Sequence, residues 1–223
     1  MCEPANPAVT AVPVDGSDSV LSPQSSVLPD LPALPDLLVP GLALLFVGYN
    51  PSVHSARRGH YYAGPGNQFW RLLALAGLTP RIYTPDEDRA LLALGIGITD
   101  LCPIPTPGID DLPRAVAIAG RGALAAKIAH YRPRIVSFNG KATFERFFGQ
   151  APVGWGAQDR RVGAAPSLVF VTPSSSGRAN GVQTEREAAY RALGALVRGT
   201  PTWGDADVGG RRRGGTPTWG DAD

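Results

Sequence analysis

In "LALLFVGYNPS" (42–52) an asparagine stands at the end of an apolar run, with a proline behind it. The proline biases Asn50 toward extended backbone and away from helix, so its side chain can project from a strand end. An amide placed there can hold a water molecule through two hydrogen bonds but cannot take its proton. That suits a reaction whose transition state is already strongly dissociative, where water needs positioning more than activation. Cleavage of an N-glycosidic bond through an oxocarbenium-like sugar is such a reaction. Other chemistries find little support. The three histidines (54, 60 and 130) are scattered, no Ser–His–Asp order occurs, and Cys2 and Cys102 are too few for a disulfide framework or a four-cysteine cluster. No metal and no cofactor are expected.

The elements that must position such a group alternate between strand and helix signals. Strands are predicted at 42–50, 95–101, 134–140 and 167–175. Between them, helices are predicted over "NQFWRLLALAGL" with Asn67 as cap, over "TPDEDRALLAL" with Thr84 as cap and Pro85 in the first turn, over 113–130, and over 141–148. "TERE" (184–187) reads as a capping box opening a last helix to about Val197. Four apolar strands separated by helices imply an α/β fold, a parallel four-stranded sheet covered on both faces. Ligands of such sheets bind outside the carboxyl ends of the strands. Those ends deliver Tyr49, Asn50 and Pro51; Thr99 and Asp100; Asn139 and Gly140; and "TPSSSGR" (172–178). No lysine is counted among these strand-end residues, which argues against a Schiff-base lyase step.

Charge divides the chain in three. Residues 1–40 carry five acids, no Lys or Arg, and prolines at 4, 7, 13, 23, 29, 32, 35 and 40, which forbid regular structure. They read as a disordered acidic tail, although "LPDLPALPDLL" can lie extended along the domain. Residues 41–198 form a basic domain of net charge +8, nearly all of it arginine. Residues 199–223 repeat "GTPTWGDAD" at 199–207 and 215–223 and read as a second tail. A basic domain with acidic ends suits a polyanion partner. The N-terminus lacks the pattern of a signal peptide, and no apolar stretch reaches the ~18–20 residues of a membrane span. A cytoplasmic, bacterial, nucleoid-associated monomer with no membrane partner is expected.

"GYNPSVHSARRGHYYAGPGNQFW" (48–70) resembles the first motif of the mismatch-specific uracil/thymine-DNA glycosylases, and "TPSSSGR" (172–178) resembles their second. "GIGITD", "TPG" (106–108) and "FNGK" (138–141) fall in matching order, so the resemblance spans roughly residues 42–197. It implies a three-layer α/β/α sandwich and a monofunctional glycosylase that flips its base out of DNA. The substrate it implies is double-stranded DNA containing uracil or a mismatched pyrimidine. By position, Asn50 would orient the attacking water and Tyr62 would stack on the extruded base. Backbone groups near Tyr49 and Val53 would read the pyrimidine edge, with Asn139 also in the base pocket. The serine loop would enter the duplex, Arg178 filling the hole, Ser174, Ser175 and Ser176 gripping phosphates, and Gly177 near the position where relatives carry a leucine. Lys141 at a helix N-terminus, and Arg57 and Arg58 beside the first motif, could contact the backbone.

Asp100 departs from the family, whose members commonly place asparagine or another non-acid there. A carboxylate at this point could accept a proton from water or stabilise the cationic sugar, so that Asp100→Asn would lower activity beyond any loss of folding. It could equally repel a departing pyrimidine anion, or merely cap the loop that follows. Two other readings compete with the glycosylase: a damaged-DNA-binding module that has lost catalysis, and a hydrolase of small nucleosides.

Overall fold

The computed structural model describes residues 31–177 and 180–199. Five strands form one sheet in the order β2-β1-β3-β5-β4. These are β1 (Leu44–Gly48), β2 (Ile96–Asp100), β3 (Ile135–Asn139), β4 (Gly156–Gln158) and β5 (Leu168–Thr172). All neighbours run parallel except β4, which pairs antiparallel with β5 at the edge. The helices are α1 (Val53–Arg58), α2 (Phe69–Leu75), α3 (Arg114–Tyr131), α4 (Lys141–Phe148) and α5 (Gln183–Gly199).

The strands alternate their side chains between two dry layers. Leu44 and Phe46 of β1 join Phe69, Leu72 and Leu73 of α2 and Tyr190 and Leu193 of α5. Leu45 and Val47 turn the other way, onto Leu124 and Ile128 of α3 and Phe144 of α4. With both faces buried, each strand must be apolar throughout, which is why these strands read as continuous hydrophobic runs. The result is the α/β/α sandwich.

Four features differ from the sequence reading. The sheet has five strands, not four, because Gly156-Ala157-Gln158 is too short and too weakly apolar to signal a strand. Residues 85–94 form a 3-10 helix, although the Thr84–Glu87 capping box is present. The last helix opens at Gln183, whose side-chain Nε2 donates to Glu187 at 2.8 Å, so Glu187 does not serve a box with Thr184. Finally, residues 31–40 are not part of a tail but lie along the domain, as the extended reading of "LPDLPALPDLL" allowed. Leu34 and Leu37 are buried, Leu37 exchanges two backbone hydrogen bonds with Ile98 of β2 (2.9 and 3.0 Å), and Asp36 pairs with Lys127 of α3 at 2.6 Å. Prolines exclude helix here but leave an extended segment free to pair with a sheet edge. Residues 1–30 and the duplicated "GTPTWGDAD" beyond Gly199 lie outside the described residues.

Candidate active site

The carboxyl ends of β1, β2, β3 and β5 open into one cleft of about 790 Å³. Its walls include Asn50, Tyr62, Asp100, Asn139, Lys141 and the Ser174–Gly177 loop. The two long sequence motifs are stitched together at its rim. Gln68 N–H donates to the Ser175 carbonyl at 2.8 Å. Gly177 passes so close to the 64–66 turn that an added Cβ would stand 2.9 Å from the Gly66 carbonyl oxygen.

Asn50 is held by one end only. Its Nδ2 donates to the Ile104 carbonyl at 2.8 Å and to Thr106 Oγ1 at 2.7 Å. A carbonyl only accepts, and Thr106 Oγ1 spends its own proton on the Gly108 carbonyl at 2.5 Å, so both partners demand the NH₂ end. The amide orientation is thereby fixed and, among the described residues, Oδ1 has no hydrogen-bond donor, so it stands as an acceptor on a cleft residue. "TPG" supplies this clamp, 56 residues along the chain, and the motif order was the sole hint of it. Thr106→Val deletes the shortest of the contacts from Asn50 Nδ2 at constant shape, leaving the Ile104 carbonyl and a longer contact to the Pro51 carbonyl at 3.3 Å. A lost hydrogen bond is worth about 0.5–1.5 kcal/mol, so a roughly 3–10-fold fall in turnover with little change in DNA binding is expected from single-turnover kinetics and a binding isotherm.

Tyr62 is equally constrained. Its backbone sits in the left-handed region (φ 52°). The residues on either side are tied down, Tyr61 N–H to Asp88 Oδ2 and Ala63 N–H to Ser55 Oγ, both at 3.1 Å. Phe69 stacks on one face of the Tyr62 ring, 3.8 Å between centroids at 23°. This leaves a rigid aromatic plate in the cleft wall, suited to receive a planar ring on its other face.

Asp100 is buried in the pocket, and its Oδ2 has no hydrogen-bond partner among the described residues. It lies against β1 so tightly that a Cβ on Gly48 would fall 2.2 Å from Asp100 Oδ1 and 3.5 Å from the Tyr62 hydroxyl. Burial first, then the nearby Asp36 charge, push the carboxyl up to about 8, against the opposing pull of Lys127. A carboxyl raised in this way holds its proton to higher pH than an ordinary aspartate, which favours the neutral acid over the carboxylate near neutral pH.

Several other expected residues take different places. Tyr49 lines the cleft, and its ring also packs in a cluster with Cys102, Leu112 and Ala117, its hydroxyl accepting from Arg146 Nε at 3.0 Å and its carbonyl from Cys102 N–H at 3.0 Å. Val53 opens α1 but does not line the cleft, whereas Ser52 and His54 do. Asn139 spends both ends of its amide on Ser175, donating to Oγ at 3.0 Å and accepting from N–H at 3.1 Å. It fixes the serine loop to β3, and it leaves Ser175 buried and engaged, not free to grip a phosphate. Ser174 and Ser176 remain part-exposed at the cleft. Arg178 lies outside the described residues. Arg57 is exposed on α1, while Arg58 is forked onto Asp86 at 2.7 and 3.2 Å. Lys141 is exposed at the start of α4 and lines the cleft with its Nζ 4.3 Å above the Trp155 ring. Lys141 thus opens a helix and is not one of the strand-end residues, but it does line the cleft. Trp155 and Leu34, both cleft residues, carried no sequence signal.

Among the described residues no group of three or more His, Cys, Asp or Glu side chains could hold a metal ion, and no helix is long and apolar enough to cross a membrane. A sandwich that gathers polar groups at the carboxyl ends of its parallel strands, on a basic domain, defines a class of ligand-binding and catalytic α/β domains. Residues 35–194 match the uracil DNA glycosylase superfamily, and the chain belongs to it. A solution NMR structure from Methanosarcina acetivorans, itself provisionally assigned as a uracil DNA glycosylase, is similar at 21% identity with a TM-score of 0.48. That match covers 75% of this chain and 98% of the other.

Proposed function

We propose that this protein is a monofunctional DNA glycosylase of the mismatch-specific uracil/thymine type, hydrolysing the N-glycosidic bond of a uracil or mismatched pyrimidine flipped out of duplex DNA. The observation that carries this reading is the clamped Asn50 amide. With Nδ2 fixed by Ile104 and Thr106, Oδ1 is an acceptor of set direction that can hold a water but cannot deprotonate it. That is sufficient where the glycosidic bond largely breaks before water attacks.

The rest of the cleft fits the same reaction. The Tyr62–Phe69 stack offers a plate for the extruded base, a contact worth roughly 1–3 kcal/mol. The departing base takes up the electron pair of the broken bond. Asp100, neutral at the pocket floor, spares that anion a repelling charge and can donate an O–H to it. Lys141, Ser174 and Ser176 line the rim where phosphates would pass. Lys141 is exposed and lacks the apolar enclosure that makes a lysine nucleophilic, which supports hydrolysis without a lyase step.

The test is base release from labelled oligonucleotides carrying G·U, A·U, G·T or single-stranded U, read by alkaline strand cleavage, with deoxyuridine as a small-molecule control. Release from DNA, weakening steeply with salt and absent on the nucleoside, is the expected result. No strand breakage before alkali and no borohydride-trapped protein–DNA adduct should be seen. Salt-independent turnover of the nucleoside would instead indicate a small-molecule hydrolase, and binding without release a damage-recognition module.

A further inference from the structure

The antiparallel edge strand carries a feature that the motifs do not account for. Gly156 of β4 pairs with Val171 of β5, so the turn before β4 runs beyond the carboxyl end of the sheet, on the same edge as the serine loop. Val153 is three residues before Gly156, and Ser174 is three after Val171. The tip of this turn can therefore reach up to ~10 Å past the sheet, beside the loop that borders the cleft. Trp155, in the same turn, is itself a cleft residue with Lys141 over its ring.

Val153 is 90% exposed, an apolar side chain held out in the turn that also carries the cleft residue Trp155. It is also held rigidly. The Gln158 side chain acts as a staple, Oε1 accepting from Val153 N–H at 2.9 Å and Nε2 donating to the Val153 carbonyl at 3.3 Å and the Gly156 carbonyl at 3.1 Å. A rigid, exposed aliphatic tip loses little conformational entropy when it is buried by a ligand. The neighbouring serine loop offers only Ser174, Ser175, Ser176 and Gly177 among its described residues, none large enough to support an unstacked base step.

We propose that Val153 is a second wedge: its tip presses into the duplex against the base step beside the extruded nucleotide, where aliphatic side chains of DNA-bending proteins unstack neighbouring bases. This rests on the glycosylase reading for the presence of a flipped nucleotide, but it concerns contact with duplex DNA, which can be measured without catalysis. The ligand is a double-stranded base step, not a free nucleotide or a protein.

The experiment uses the full chain and a duplex with an abasic-site analogue opposite guanine and 2-aminopurine as the adjacent base. Wild type should raise the 2-aminopurine fluorescence on binding. Val153→Ser should reach less than about half that rise at saturation, and Val153→Leu should retain it, since unstacking needs an aliphatic wedge. Because Val153 is exposed, all three proteins should melt at the same temperature. In single-turnover excision, Val153→Ser should slow release from duplex G·U by roughly fivefold or more and leave single-stranded U within about twofold, as that base is already unstacked. Equal fluorescence for Val153→Ser and wild type would overturn the wedge. Absence of base release by wild type, with the fluorescence difference intact, would instead overturn the glycosylase reading and keep the wedge.

Discussion

Asn50→Ala is expected to reduce base release from a G·U duplex by at least ~10²-fold, with duplex binding changed by no more than a few-fold. Loss of one positioning group can cost that much where the reaction depends on the placement of a water molecule. The substitution removes the Oδ1 acceptor, which has no hydrogen-bond partner among the described residues. It also leaves the Ile104 carbonyl and Thr106 hydroxyl, which are able to take water in place of Nδ2. The fold should therefore persist, because Asn50 is only partly buried and its partners are rehydrated. Single-turnover rates separate the two effects. A parallel fall in kcat and kcat/KM marks a contact made in the transition state, whereas a rise in KM alone would make Asn50 a ground-state binding residue.

Asp100→Asn should stabilise the fold and flatten the pH dependence of catalysis. The Asp100 carboxyl is raised from its ordinary 3.8 to about 8 in the folded protein. A group whose folded value lies above its unfolded one binds its proton more tightly in the native state. The stability linked to that proton is fully present below about pH 4 and is lost as pH rises toward 8, levelling off above. Asparagine has no proton to lose, so the advantage of the variant should grow through that window and reach several kcal/mol, to order of magnitude, at pH 8 and beyond. Urea melts at pH 4, 6 and 8.5 measure it. Activity should follow the same group. In wild type, release slows above about pH 8 as a negative charge appears beneath the departing base, while Asp100→Asn retains its rate there and loses little at pH 7. A variant inactive at pH 7 yet well folded would restore the alternative, a carboxylate that works in its charged form.

The sheet was legible because burial on both faces forces continuous apolar runs, and "LALLFV", "RIVSF" and "SLVFV" are such runs. Asn50 was legible because a proline fixed the strand end beside it. Elements with weak local signals were not legible. β4 is three residues long and holds its place through pairing with β5, a relation between positions 156–158 and 169–171 that no local pattern records. Residues 31–40 were legible only as a segment able to lie extended, because proline density predicts the loss of regular structure, while docking depends on the edge of β2 being free to pair with Leu37.

In the site, residue types were legible and their states were not. Asp100 was visible as an acid, but its charge depends on burial and on Asp36, which reaches it from the segment assigned to the tail. Ser175 read as a phosphate ligand until Asn139 was seen to occupy both its hydroxyl and its amide. The clamp on Asn50 joins positions 54 and 56 residues apart, and only the folded sheet brings them together.

The most direct test of the central claim is chromatographic detection of free uracil from a G·U duplex treated with wild type or Asn50→Ala, with the DNA strand examined before any alkali. The account predicts uracil released in step with alkali-sensitive sites, an unbroken strand, and loss of both products in the variant. Strand breakage without alkali, or uracil release that survives loss of the Asn50 amide, would contradict it.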